Sequence, residues 1–176
     1  MAVTQVTPLL NETMANLLTD QVKNYFNAQL QLVDNQYTDG ISLEPIKTES
    51  YFISDKFETL QCPACYVLFG NMAFNYTENQ NYLDTNTECV IVITGEDMGA
   101  GRLQRKMWRY GRVLYGIMNL VDLKSSDGRL ELKVVPRRMS YGERVIQKMG
   151  GDKKVYRQDC ILELELMHFE KNITEI

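Results

Sequence analysis

Apolar side chains recur every three or four positions along two stretches of the chain, about residues 9–33 and 99–123. This spacing places them on one face of an α-helix, so the pattern predicts two amphipathic helices. In the first stretch the repeating residues are Leu10, Met14, Leu17, Leu18, Val22, Tyr25 and Phe26. Asn11 or Thr13 is suited to cap this helix, and the polar residues from Asp34 to Gly40 end it.

Elsewhere the pattern changes to short apolar runs and to strict alternation, which are typical of β-strands. The predicted strands cover residues 50–54, 64–77, 88–96, 129–136 and 155–170. The last strand is the clearest, because its apolar and charged positions alternate. Its apolar side contains Cys160, Leu162, Leu164 and Leu166, and Glu163 and Glu165 lie on the other side. Polar residues 75–86 predict a connection between the second and third strands.

The order of elements is helix, three strands, helix, two strands. Partial segregation of helices and strands predicts an α+β fold, with a mostly antiparallel sheet packed with two main helices. The length of 176 residues predicts one domain over residues 1–176. The segment PRRMSYGERVIQKMGGDKK (136–154) is too long for a tight hairpin turn, so it is predicted as a protruding loop or arm with Gly150-Gly151 at its tip.

The net charge of −4 conceals an asymmetry between the two halves of the chain. Residues 1–99 contain 3 Lys or Arg and 13 Asp or Glu, a net charge of −10, whereas residues 100–176 contain 16 and 10, a net charge of +6. Such a division favours a basic surface for nucleic acid or two complementary faces for self-association.

The densest positive charge lies in GRLQRKMWRYGR (101–112), within the second predicted helix. On a helical wheel the apolar residues form one stripe, which contains Leu103, Met107, Tyr110, Leu114, Ile117, Met118 and Val121. The basic residues form a second, roughly opposite stripe, which contains Arg102, Arg105, Lys106, Arg109 and Arg112. Three interpretations remain open: a solvated face, a seam with acidic residues of a neighbouring subunit, or direct contact with phosphates. Trp108 lies between the stripes and favours the seam, because tryptophan is enriched at interfaces.

The chain offers no constellation that predicts catalysis, a metal site or a cofactor. The CPAC motif, Cys62 to Cys65, is followed by a strand rather than a helix, so it is interpreted as small, half-buried residues at a strand start. Cys89, Cys160 and His168 lack the paired spacing of zinc ligands. The single histidine, His168, lies on the apolar side of the last strand and is predicted to be structural. The segment GEDMGAG (95–101) matches no phosphate-binding motif and is predicted as a flexible connection to the helix.

The chain has no run of 18 apolar residues, so no membrane span is predicted. The N-terminal sequence MAVTQVTPLL lacks the basic region and apolar core of a secretory signal, which favours function or assembly in the cytoplasm.

The element order resembles that of the tail-terminator and head–tail joining (neck) proteins of tailed bacteriophages. The resemblance covers about residues 9–170. It depends on the N-terminal helix, the strands beginning CPACYVLFG and ECVIVITGE, the helix carrying RYGRVLYGIMNLV, and two closing strands joined by a long polar arm.

The resemblance implies a non-enzymatic virion protein, assembled in the host cytoplasm, that forms a ring of usually six subunits. Such a ring lies between a connector or head-completion protein and the tail-tube protein, and DNA passes through its lumen. It also implies that the arm contacts a neighbour or the tail tube through Arg137, Arg138, Arg144, Lys148, Lys153 and Lys154. The alternative is a nucleic-acid-binding module that uses the basic helix 99–123.

Overall fold

The computed structural model describes residues 10–53, 61–75, 82–148 and 154–171. These residues form two α-helices and seven strands. The elements are α1 (Leu10–Asp34), β1 (Tyr51–Phe52), β2 (Ala64–Asn75), β3 (Tyr82–Asp97), α2 (Ala100–Met118), β4 (Val121–Lys124), β5 (Leu130–Tyr141), β6 (Val145–Lys148) and β7 (Lys154–Lys171).

The strands belong to one sheet with the order β1-β2-β3-β7-β5-β4, and β6 also pairs with β7. The short β1 is parallel to β2, and all other described pairs are antiparallel. Because β3 occupies one side of β7, strands β5 and β6 follow one another along its other side. The predicted α+β fold with a mostly antiparallel sheet and two main helices is therefore confirmed.

Both helices pack on one face of the sheet. The alternation predicted for β7 is confirmed, because its four apolar residues from Cys160 to Leu166 are at most 3% exposed and face the helices. Between the helices, the rings of Phe26 and Tyr110 stack with their centroids 6.2 Å apart. Burying a large apolar side chain contributes about 1.5–3 kcal/mol, so this shared core is the main source of stability.

Helix α2 ends at Met118, five residues before the predicted end at 123. Asn119 is extended and Leu120 has a φ of 52°, a left-handed conformation that a helix does not continue through. Residues 121–124 then form β4, in which Val121 and Leu123 alternate with polar residues and pair with β5. The prediction that Val121 belongs to the apolar stripe of the helix is therefore wrong.

The segment predicted as an arm, 136–154, is largely part of the sheet. Strand β5 continues to Tyr141, and β6 pairs with the first residues of β7. The long central strand β7 has backbone groups on both edges that need hydrogen-bond partners; β3 supplies them along one edge, and these two segments supply them along the other. Gly150-Gly151 and Lys153 lie outside the described residues.

The predicted connection 75–86 is also shorter than the sequence pattern indicated. Strand β2 ends at Asn75 and β3 begins at Tyr82, where it pairs with the end of β7. Residues 82–86 of the predicted connection are therefore strand residues, because pairing with a distant strand overrides their weak local preference.

The sheet face opposite the helices carries a small apolar cluster at one end. Ala64, Tyr66 and Val92 are its buried members, and the rings of Phe52 and Tyr66 stack 5.4 Å apart. Further along this face, Arg137 pairs with Glu165, and the Nε of Arg138 lies 3.9 Å from Glu163. One face is thus a core, and the other changes from apolar to charged along its length.

His168 lies on the helix-facing side of β7, and its side chain is fully buried. Neither of its ring nitrogens has a hydrogen-bond partner among the described residues. Burial lowers the pKa of His168, and the nearby charge of Asp84 acts weakly in the opposite direction. Folding therefore disfavours the protonated form of this imidazole ring.

We expect the stability of the protein to fall as the pH drops below about 6.5, because the unfolded chain then binds a proton that folded His168 does not. A His168→Leu variant should lack this loss of stability at low pH when its unfolding is measured by urea titration at a series of pH values. Comparison with the wild type separates it from the contribution of buried Glu170, whose pKa is raised by burial. Parallel pH profiles for the two proteins would contradict the assignment.

Candidate interaction surface on helix α2

Helix α2 begins against a buried carboxylate. Gly99 precedes the helix, and its N–H donates a 2.8 Å hydrogen bond to Oδ1 of Asp97. Arg102 adds hydrogen bonds from Nε to both carboxylate oxygens, at 2.7 and 2.8 Å. Burial acts to raise the pKa of Asp97, but the hydrogen bonds from Arg102, Gly99 and Lys106 outweigh it and lower the pKa to about 2. Asp97 therefore stays ionised, and its negative charge stabilises the N-terminus of α2, which is the positive end of the helix dipole.

Lys106 is also buried at this end of the helix, with 8% of the residue exposed. Its Nζ lies 3.0 Å from Asp97 and 3.0 Å from Glu44. Burial acts to lower the pKa of Lys106, yet the hydrogen bonds to the two carboxylates raise it. Lys106 is thus a charged group satisfied within its own chain.

Arg109 is the most buried of the basic residues on α2, with 3% exposed. Its guanidinium donates hydrogen bonds to the carbonyl of Ile41 and, at 2.5 Å, to Asp39. The guanidinium carbon lies 3.9 Å from the ring centroid of Tyr37, a cation–π contact. The hydrogen bond from Arg109 lowers the pKa of Asp39.

Tyr110 completes the attachment of the segment 37–46 to the helix. Its hydroxyl donates to the carbonyl of Glu44 at 2.9 Å and accepts from the N–H of Glu44 at 3.0 Å. The segment 37–46 therefore lies across α2 and covers two of its basic residues. The prediction that all five basic residues form one outward stripe is wrong for Lys106 and Arg109.

The other three basic residues of α2 are exposed. The side chain of Arg102 is 50% exposed and is neutralised by Asp97 at 2.6 Å. That of Arg105 is 58% exposed, and its nearest carboxylate, Asp39, is 3.6 Å away. Arg112 forms no ion pair with any residue in the described ranges. Arg105 and Arg112 are thus the basic residues of α2 least neutralised by the described residues.

These two arginines share a line on the helix with two aromatic residues. Arg105, Trp108, Arg112 and Tyr115 are spaced by three, four and three residues, which is one helical face. Trp108 is 52% exposed and Tyr115 is 50% exposed. We call these four residues the α2 stripe. It is an exposed surface of large aromatic rings between arginines.

Gly111, three residues after Trp108 on α2, faces the sheet. A β-carbon there would lie 2.8 Å from the hydroxyl oxygen of Tyr141 and 3.2 Å from the sulfur of Met139. The close approach of helix and sheet at Gly111 leaves the neighbouring α2 stripe at the rim of the core, on the side of β5.

The basic residues predicted to act in the arm are distributed along the sheet. Arg137 and Arg138 lie on its charged face, and Arg144 donates to the carbonyl of Ala100 at 3.3 Å. Lys154 is exposed at the start of β7. Lys153 lies outside the described residues, as does the side chain of Lys148.

The described residues contain no group of His, Cys, Asp or Glu arranged to hold a metal ion. Cys62 is half-buried and Cys65 is buried at the start of β2, where burial raises the pKa of the Cys65 thiol. A thiol with a raised pKa is a poor nucleophile at neutral pH. Within the described ranges, no helix is both long and apolar enough to cross a membrane.

Three carboxylates of this region were not identified from the sequence: Asp39, Glu44 and Asp97. A weak signal was present, because the acidic first half of the chain had to face some of the basic second half. No local pattern says which carboxylate meets which cation.

No protein-family model matches the sequence, and a search of curated proteins finds no match either. Among solved structures, one chain from the "Virion of native gene transfer agent (GTA) particle" aligns with 92% of this chain and with 99% of its own length. The sequence identity is 13% and the TM-score is 0.49. A likeness of this size carries no inference about function.

Proposed function

We propose that this chain is a single-domain, non-enzymatic subunit of a bacteriophage neck or tail-terminator ring, which joins the head or connector to the tail tube. Self-association into the ring, hexameric by the resemblance, is its central activity. The partners are further copies of the chain, a connector or head-completion protein and the tail-tube protein.

The observation that carries this proposal is the α2 stripe. Trp108 and Tyr115 expose half of their large side chains and alternate with two arginines that are weakly neutralised or unpaired within the described chain. Tryptophan, tyrosine and arginine are the residues that contribute most to protein–protein binding energy. Exposed acidic side chains of a neighbouring copy, such as Glu12 and Asp20 on α1, would neutralise them.

The alternative, binding of nucleic acid through α2, is less well supported by the same geometry. Of the five basic residues, Lys106 and Arg109 are buried against carboxylates and Arg102 is neutralised. The two that remain are few for a surface that binds phosphates, where each contact contributes separately to affinity.

We expect the wild-type chain to form discrete multimers in mass photometry, and the variant Arg105→Glu/Arg112→Glu to lose them, with self-association at least tenfold weaker. The charge reversal places carboxylates where the proposed seam has acidic partners. Lys47→Glu/Lys133→Glu is the matched control, because it makes the same change in net charge at exposed residues outside both the stripe and α1. The control should assemble as the wild type does.

A monomeric wild type over the whole micromolar range would overturn the proposal. DNA binding by the monomer, with a negative slope of log K against log salt that the same double variant abolishes, would favour the alternative instead.

A further inference from the structure

Among the described residues, the sheet has two edges that other strands cover only in part, one on β2 and one on the row formed by β5 and β6. Strand β1 pairs with β2 only at Cys65 and Tyr66. Strand β4 pairs with β5 only at residues 131–134. Beyond these positions, no strand in the described part of the chain covers either edge. Open edges carry backbone N–H and C=O groups that readily pair with another chain.

The open edge of β2 lacks charge and proline, two of the features that normally protect an edge strand, although its pairing with β3 shifts register between Phe69 and Met72. All of ACYVLFGNMAFN (64–75) is free of charged residues and of proline. Residues 73–75 are exposed, and Phe74 exposes 65% of its surface. Natural edge strands usually carry lysine, proline or a strong twist against aggregation. This uncharged edge, which no described residue covers beyond Tyr66, is available to a partner strand.

The second open edge runs along residues 138–141 of β5 and continues into β6. It also exposes apolar side chains, because Val145 is 57% exposed and Ile146 is 51% exposed. The charged face beside this edge carries Arg137 and Arg138, whose side chains are 57% and 70% exposed. Two copies of this edge would bring arginines against arginines, which disfavours pairing with itself.

The two edges complement one another in strand direction and in charge. Strands β2, β3, β7 and β5 alternate in direction, so β5 of one copy would lie antiparallel to β2 of the next without breaking the alternation. Beside the β2 edge, on the same sheet face as Arg137 and Arg138, β3 presents the exposed Glu88. Glu88 of one copy would therefore lie on the same sheet face as Arg137 and Arg138 of the next copy.

The short strands β1 and β4 restrict the register of this pairing. They cover β2 and β5 at opposite ends of the sheet. Two copies can pair only where both edges are clear, which requires a stagger between them. Strands that tilt against the axis of a closed ring need such a stagger.

We propose that the subunits join head to tail by pairing the β2 edge of one copy, residues 67–75, with the β5–β6 edge of the next. This inference rests on the proposed ring function and identifies its seam. Because the two edges differ, the contact is heterologous. Repeating the same rotation from one subunit to the next closes the assembly into a ring. The α2 stripe lies on the β5 side of the molecule and borders the same seam.

The variant Ala73→Lys/Phe74→Lys tests the seam by placing two lysines at exposed positions of the β2 edge. We expect it to remain folded by circular dichroism and to run as a monomer in mass photometry. The matched control is Asn35→Lys/Ser126→Lys, which adds the same charge at exposed positions outside the helices and both edges and should assemble normally. If the Ala73→Lys/Phe74→Lys variant assembles like the wild type, the proposed pairing of the two edges is wrong.

Hydrogen exchange gives a second measurement that does not depend on the variant. In wild-type multimers the amides of residues 67–75 and 138–141 should exchange at least tenfold more slowly than in the monomeric Arg105→Glu/Arg112→Glu protein. If the edge amides of the multimers exchange at the monomer rate, the proposed strand pairing is wrong and the ring proposal stands. If the wild-type chain never assembles, both the strand pairing and the ring proposal are wrong.

Discussion

Asp97→Ala is expected to lower the free energy of unfolding by about 3 kcal/mol. The substitution removes the carboxylate that contacts Arg102 and buried Lys106, and it leaves the N–H of Gly99 without its acceptor. Lys106 would then retain only Glu44, whose side chain is 60% exposed. A buried charge that loses its buried partner is costly, whereas removal of both charges costs much less.

Chemical denaturation at pH 7 measures this loss, and two variants control it. Asp97→Ala/Lys106→Met should recover most of the lost stability, because no uncompensated charge remains. Asp122→Ala, at an exposed position of β4, should change stability by less than about 0.5 kcal/mol. Because the pKa of Asp97 is about 2 in the folded protein and 3.8 ordinarily, its contribution is present above pH 4 and lost as the pH falls toward 2. An Asp97→Ala protein as stable as the wild type would show that this carboxylate does not hold the helix start.

Phe26→Ala should cost about 4 kcal/mol, the second large effect. Phe26 is fully buried and stacks on Tyr110, whose hydroxyl holds the backbone of Glu44. The cavity would therefore loosen the contact between the helices and the attachment of residues 37–46 together. Urea denaturation followed by circular dichroism measures the change.

The residue beside it supplies the control. Tyr25 is 54% exposed, so Tyr25→Ala should change stability by less than about 0.5 kcal/mol. Phe26→Leu should cost only about 1 kcal/mol, because leucine fills most of the space. Equal losses for the Tyr25 and Phe26 alanine variants would contradict the position of Phe26 in the core.

The helices and the main strands were predictable because their apolar spacing is a local property. The period of α1 and the alternation of β7 each identify the face that packs in the core, and the structure buries those faces except for Tyr25, which the α1 pattern included and which is 54% exposed. The same local view could not separate the end of α2 from β4, since Val121 fits both a helical stripe and a strand. The left-handed Leu120 that divides them is not visible in the pattern.

The candidate surface was predictable only in part, for a physical reason. A helical wheel identifies which residues share a face, and it correctly kept Arg105 and Arg112 outward. It does not show what covers that face. Arg109 is buried by residues about 70 positions earlier in the chain, through an ion pair to Asp39 that no local rule specifies. The strand β6 escaped prediction similarly, because only its partner β7 makes it a strand.

Trp108 is the single tryptophan of the chain, and it lies half exposed in the middle of the α2 stripe. The ultraviolet fluorescence of the protein at tryptophan wavelengths therefore originates from this one surface and from no other part of the molecule. Its emission maximum and its accessibility to quenchers follow the polarity around that indole, so an unlabelled sample carries its own optical probe of whatever docks there.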